Sequence, residues 1–140
     1  MKRIWPALLA VPLGLAACGG YTAPSGTQNP QPPAPATNDI GIVVGASQLT
    51  TTAFNPNPKS VSLNGNSSVS VRWVNGDISG GDYTSGTATI HNIASDNSAF
   101  QTSGSLGGNA TYSASFTAAG SYPYHCEIHQ NMVGTVTVTP

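Results

Sequence analysis

The chain has 140 residues, enough for a single hydrophobic core and too few for two. Four Lys and Arg stand against five Asp and Glu, a formal net charge of -1, so there is no basic surface on which nucleic acid would bind. Only 6% of the residues are charged, which leaves little long-range field to steer a partner and points to recognition by local shape and apolar contact.

Lys2 and Arg3 precede an apolar stretch from residue 4 to 17, the length of a signal-peptide core and short for a membrane span. Its end, Leu15-Ala16-Ala17-Cys18, resembles the bacterial lipobox, in which cleavage precedes the cysteine and a diacylglycerol is attached to its sulfur. The expectation is a lipoprotein signal peptide over 1–17 and a lipidated Cys18, with the protein exported and anchored on the periplasmic or outer face of a bacterial membrane. Processing at that point leaves Lys59 and Arg72 as the only Lys or Arg against five carboxylates, and Cys126 as the only remaining thiol. With Cys18 lipidated, the domain has no second thiol with which to form an internal disulfide.

Residues 18–39 contain five prolines among small polar residues and show no hydrophobic period, so they read as an extended, solvated tether. From residue 40 to 140 the texture changes to short runs of Val, Ile, Thr, Tyr and Phe punctuated every eight to twelve residues by Gly, Asn, Asp or Pro. Strands are predicted over 40–44, 51–54, 60–63, 69–74, 87–91, 111–116, 120–125 and 133–139. Val69, Val71 and Trp73 share one face, and Val136 and Val138 alternate with threonines, as in strands that bury one side. Turns are predicted at Asn64-Gly65 and Asn75-Gly76. The expected fold is all-β, a Greek-key sandwich of about eight strands forming one domain.

The chemistry concentrates near the C-terminus, where Cys126, His129 and Met132 are spaced C-x2-H-x2-M between two predicted strands. A thiolate, an imidazole and a thioether on one short loop form a soft ligand set that suits copper and not magnesium or calcium. A trigonal site with a weak axial thioether needs a second imidazole, and the chain offers two. His91 lies on the predicted strand upstream; His125 precedes Cys126 in the same strand and so points to the opposite face. Asp77, Asp82 and Asp96 read as loop residues.

At this point the sequence resembles the cupredoxins, of the plastocyanin and amicyanin type, over 40–140. Phe54-Asn55-Pro56 resembles the family's F-x-P strand, Val69 to Asn75 its V-x-V-x-W-x-N strand, and His91-Asn92 its His-Asn motif. The ending Y-x-Y-H-C-x-x-H-x-x-M-x-G-x-V-x-V is the densest block. The resemblance implies one type 1 copper held by His91, Cys126 and His129 with Met132 axial, and Asn92 as an outer partner bridging the two ligand-bearing segments. It also implies a function: single electrons carried between redox partner proteins, leaving through His129 and an apolar patch to which Ile128, Met132 and Val133 contribute. The chain departs from the family in having Ile90 and Ile128 where relatives carry proline before the histidines, and in a longer segment over 76–90.

Other functions fit less well. An oxidase needs H-x-H pairs, which the chain lacks, so no enzymatic activity is expected. A copper carrier or storage lipoprotein without an electron-transfer role is the alternative; it usually offers exposed Met-rich or His-rich clusters, whereas this chain has two methionines, Met1 and Met132. A monomer, one copper and membrane contact through Cys18 complete the expectation.

Overall fold

The computed structural model describes residues 37–78 and 87–140; the expected signal peptide, Cys18 and most of the tether lie outside them. Eight strands form among these residues: β1 Asp39–Ile42, β2 Phe54–Asn55, β3 Lys59–Ser62, β4 Val69–Asn75, β5 Ala94–Ser95, β6 Thr111–Phe116, β7 Gly120–His125 and β8 Val133–Thr139. They make two four-stranded sheets, ordered β2-β1-β4-β6 and β3-β8-β7-β5, so the all-β sandwich is as expected. β1 runs parallel to β4 and β3 parallel to β8; the other pairings are antiparallel.

The period-two pattern decides which faces meet. Val71, Trp73 and Asn75 of β4 point inward, as do Val136 and Val138 of β8, and Trp73 is fully buried between the sheets. Tyr124 of β7 meets Trp73 edge-on with ring centroids 5.2 Å apart, and meets Phe54 at 4.9 Å. Each such side chain contributes about 1.5–3 kcal/mol by leaving water, and the edge-to-face geometry adds to that. Gly134 lies directly opposite Tyr124 in the β7–β8 ladder, and a Cβ there would run into the tyrosine ring. The ring covers the backbone of the glycine.

The domain's two Lys and Arg side chains fasten the incoming chain. Lys59 Nζ donates to Thr37 O at 2.6 Å, and Arg72 Nε donates to Asp39 Oδ1 at 3.0 Å.

Three expectations change. Of 51–54, only Phe54 joins a strand, preceded by a turn of 3-10 helix over Ala46–Gln48. Residues 87–91 form no strand; they make single bridges, Ile78 with Ala88 and His91 with Leu106. The short strand Ala94–Ser95 carries no β-rich pattern and pairs with the end of β7. Asn64-Gly65 is a turn with φ of 48° and 77°, as expected, whereas Asn75-Gly76 is not a reversal. Asn75 completes β4 and is fully buried, because its amide satisfies backbone that a ladder would otherwise pair.

Candidate metal centre

One end of the sandwich gathers the sequence's chemical residues. β7 delivers Cys126 just beyond its last residue, and the alternation Tyr124 in, His125 out, Cys126 in turns the thiol to the interior. His125 points to the other face, where its Nδ1 contacts an Asp96 carboxylate oxygen. Residues 126–132 return to β8 as a closed loop: Cys126 N–H donates to Met132 O at 3.1 Å and Met132 N–H donates to His129 O at 2.9 Å. These bonds turn His129 back over Cys126 and draw Met132 fully into the core.

His91 arrives from the other side. Its backbone exchanges two hydrogen bonds with Leu106, and its ring is completely buried. The two segments meet so that His91 Nδ1 and His129 Nδ1 are 3.2 Å apart, and each is 3.9 Å from Cys126 Sγ. A point equidistant from the three atoms lies about 2.1 Å from each, a metal–imidazole bond length and close to a metal–thiolate one. Three donor atoms turned on one such point fit a single soft cation.

The surroundings prepare the donors. Burial pushes the Cys126 thiol up, but hydrogen bonding from His91, the Asn92 and His129 backbones and the His129 ring outweighs it and brings the thiol down to about 6. Burial opposes the charged form of His91, and contacts with Cys126 and Asp77 overcome it and raise the imidazole above its ordinary range. Asn92 links the two segments: its Oδ1 accepts the Glu127 N–H at 2.9 Å and lies 3.5 Å from Sγ, and its Nδ2 donates to Glu127 Oε2 at 2.7 Å.

Two residues of the site escaped the sequence reading. Asp77, read as a loop residue, is buried with Oδ2 2.9 Å from His91 Nε2. Burial raises its carboxyl, but bonds from His91, the Gly45 N–H and the Thr89 side chain hold it below the usual carboxylate range. Asn75, read as half of a turn, donates at 2.8 Å to both Thr89 O and Leu106 O and accepts the Asp77 N–H at 2.9 Å. The inward phase of Val71 and Trp73, carried two residues further, marks Asn75 as interior.

The sequence matches the family model of copper-binding proteins of the plastocyanin/azurin family over residues 43–139. The chain belongs to that family. This cupredoxin takes one copper, with His91, Cys126 and His129 as the candidate ligands gathered at its site. Solved structures share its fold. A purple cupredoxin from Nitrosopumilus maritimus is similar at 25% identity and a TM-score of 0.57, over 72% of this cupredoxin and 98% of that chain. A methionine-to-alanine variant of amicyanin in the Cu(I) state is similar at 21% identity and a TM-score of 0.51, over 71% and 79% of the two chains. The reduced Cu(I) form at pH 4 of a proline-to-glycine amicyanin variant is similar at 22% identity and 0.51, over 74% and 84%. No curated protein matches the chain.

Proposed function

We propose that this cupredoxin is a type 1 copper protein carrying single electrons between redox partner proteins outside the cytoplasm. The observation that carries the reading is the triangle of His91 Nδ1, Cys126 Sγ and His129 Nδ1, preformed around one point. His91, Cys126 and His129 would hold the copper together with Met132, which comes from the loop that also holds His129. Bound copper supplies the one-electron couple Cu(II)/Cu(I). The protein's part is to fix the donors: the loop bonds hold His129, Asn92 ties the His91 and Cys126 segments together, and the buried thiol and His91 exclude water.

His129 is partly exposed and so serves as the exit. Ile128 and Ile90 beside the two histidines are 50% and 44% exposed, and they provide an apolar rim on which a partner docks. Met132, expected in that patch from sequence, is fully buried instead. Two exposed isoleucines stand where relatives carry proline, so the departures from the family fall on the docking rim.

Cys18 is the lipid attachment site, 1–17 the signal peptide and 18–39 the tether to the bilayer. Family members are generally electron carriers and not enzymes, and typically exported, which supports both the absence of a catalytic role and this location. No helix among the described residues is long and apolar enough to cross a membrane.

Visible absorption and EPR of the full chain with one equivalent of Cu(II) test the reading, beside Cys126→Ala. An intense thiolate-to-copper band in the wild type, abolished in the variant, is the expected result. A colourless wild type, or a spectrum unchanged by the substitution, removes the proposal.

A further inference from the structure

Asp77 is a buried carboxylate for which electron carriage as described has no task. It is 3% exposed, with Oδ1 accepting the Gly45 N–H at 2.7 Å and Oδ2 2.9 Å from His91 Nε2. Its backbone is fixed from both sides, N–H on Asn75 Oδ1 at 2.9 Å and C=O accepting the Thr89 N–H at 3.0 Å. No Lys or Arg among the described residues compensates it: Lys59 is bonded to Thr37 O and Arg72 to Asp39. Burying an anion without a cation is costly. The neighbour through which positive charge can reach Asp77 is the His91 ring, whose other nitrogen faces Cys126 and His129.

We propose that Asp77 is a positioning residue for His91 that also biases the electron-carrying equilibrium toward the oxidised metal. The inference rests on the copper reading above. By accepting the Nε2–H, the carboxylate leaves the Nδ1 lone pair free and aims it at the point shared with Cys126 and His129. Its charge acts on the redox balance. With the thiolate and Asp77 both anionic, the site is neutral around Cu(II) and carries one negative charge after taking one electron from a donor protein. A low-dielectric interior disfavours that second state, so removing the carboxylate's charge eases reduction.

The test is the reduction potential of the copper-loaded full chain as wild type, Asp77→Asn and Asp96→Asn. Asp96 contacts His125 on the opposite face of the strand, so its variant removes the same charge away from the ligand triangle. Asp77→Asn is expected to shift the Cu(II)/Cu(I) equilibrium toward Cu(I) at least tenfold, 59 mV for one electron, while Asp96→Asn changes it less than threefold. Loss of Cu(II) binding with Cu(I) binding retained is the same result in another form. An unchanged or lowered potential in Asp77→Asn, or equal shifts in the two variants, overturns the inference and leaves the copper reading standing. A wild type without a thiolate-to-copper band overturns the copper reading itself. A second measurement needs neither a variant nor copper: long-range proton–nitrogen correlation in the metal-free wild type is expected to find a proton on His91 Nε2. A ring protonated on Nδ1 alone overturns the inference.

Discussion

The two histidines of the triangle present the same atom to the same point and are held there in opposite ways. His91 is fully buried, bridged to Leu106 by its backbone and to Asp77 by its ring, in a segment organised by the Asn75 side chain. His129 is partly exposed and sits in a loop closed by two backbone hydrogen bonds, 126 to 132 and 132 to 129, with Asn131 Nδ2 donating to Ser47 O and Leu49 O from outside. The first histidine is fixed by the tertiary structure and the second by local chain closure. One anchors the metal position, and the other can meet solvent or a partner without disturbing the fold.

The largest effect expected from this contrast follows removal of each ring. His91→Gly leaves a sealed polar void beside an orphaned Asp77, and is expected to lose copper binding and lower Tm, with no recovery when imidazole is added. His129→Gly opens its gap to solvent, so added imidazole is expected to restore an intense thiolate-to-copper band. Equal rescue of both variants, followed by absorption titration, would erase the distinction.

A smaller effect separates the two asparagines. Asn75→Ala strands the Thr89 carbonyl and the Asp77 N–H and takes one of two bonds from the Leu106 carbonyl, and is expected to cost about 3 kcal/mol in denaturant unfolding. Asn131→Ala removes bonds at the surface, where water replaces them, and is expected to cost less than about 1 kcal/mol. If the two costs come out alike, the His91 side is no more tertiary in origin than the loop.

The mildest prediction concerns protons. With the Cys126 thiol brought down to about 6 in the metal-free protein, thiolate absorbance is expected to rise with pH through that value instead of near the ordinary 9. Above about 6 the thiol has already ionised, so metal binding releases little proton from it at pH 7.5 and close to one at pH 5. Thiolate absorbance of the metal-free chain followed against pH checks the sign: a midpoint near the ordinary 9 removes the prediction.

What was legible in the sequence tracks the same contrast. Cys126, His129 and Met132 could be read as a group because a seven-residue loop holds them, and strands 111–116, 120–125 and 133–139 could be placed to the residue from β-rich runs bounded by turn residues, with alternation at Val136 and Val138. His91 could be named as a ligand candidate but not placed, since its position depends on Asn75 and Leu106, far away in sequence. Asp77 stayed hidden because its burial follows from the folding back of the chain after β4, where Ile78 meets Ala88 and Thr89 bonds the Asp77 carbonyl. An aspartate after Asn-Gly carries the composition of a turn, and composition is silent about a side chain turned inward by a long-range contact.

The Tyr124–Gly134 pair has a consequence for how this sequence can drift. The aromatic ring occupies the space that any side chain at position 134 would need, so the two positions cannot change independently. A lineage that gains even an alanine at 134 has to reshape or discard the ring at 124, and with it the edge-on contacts to Trp73 and Phe54 two residues from the thiol. Paired substitution at these sites would therefore record where the core behind the metal has been rebuilt while the ligands stayed in place.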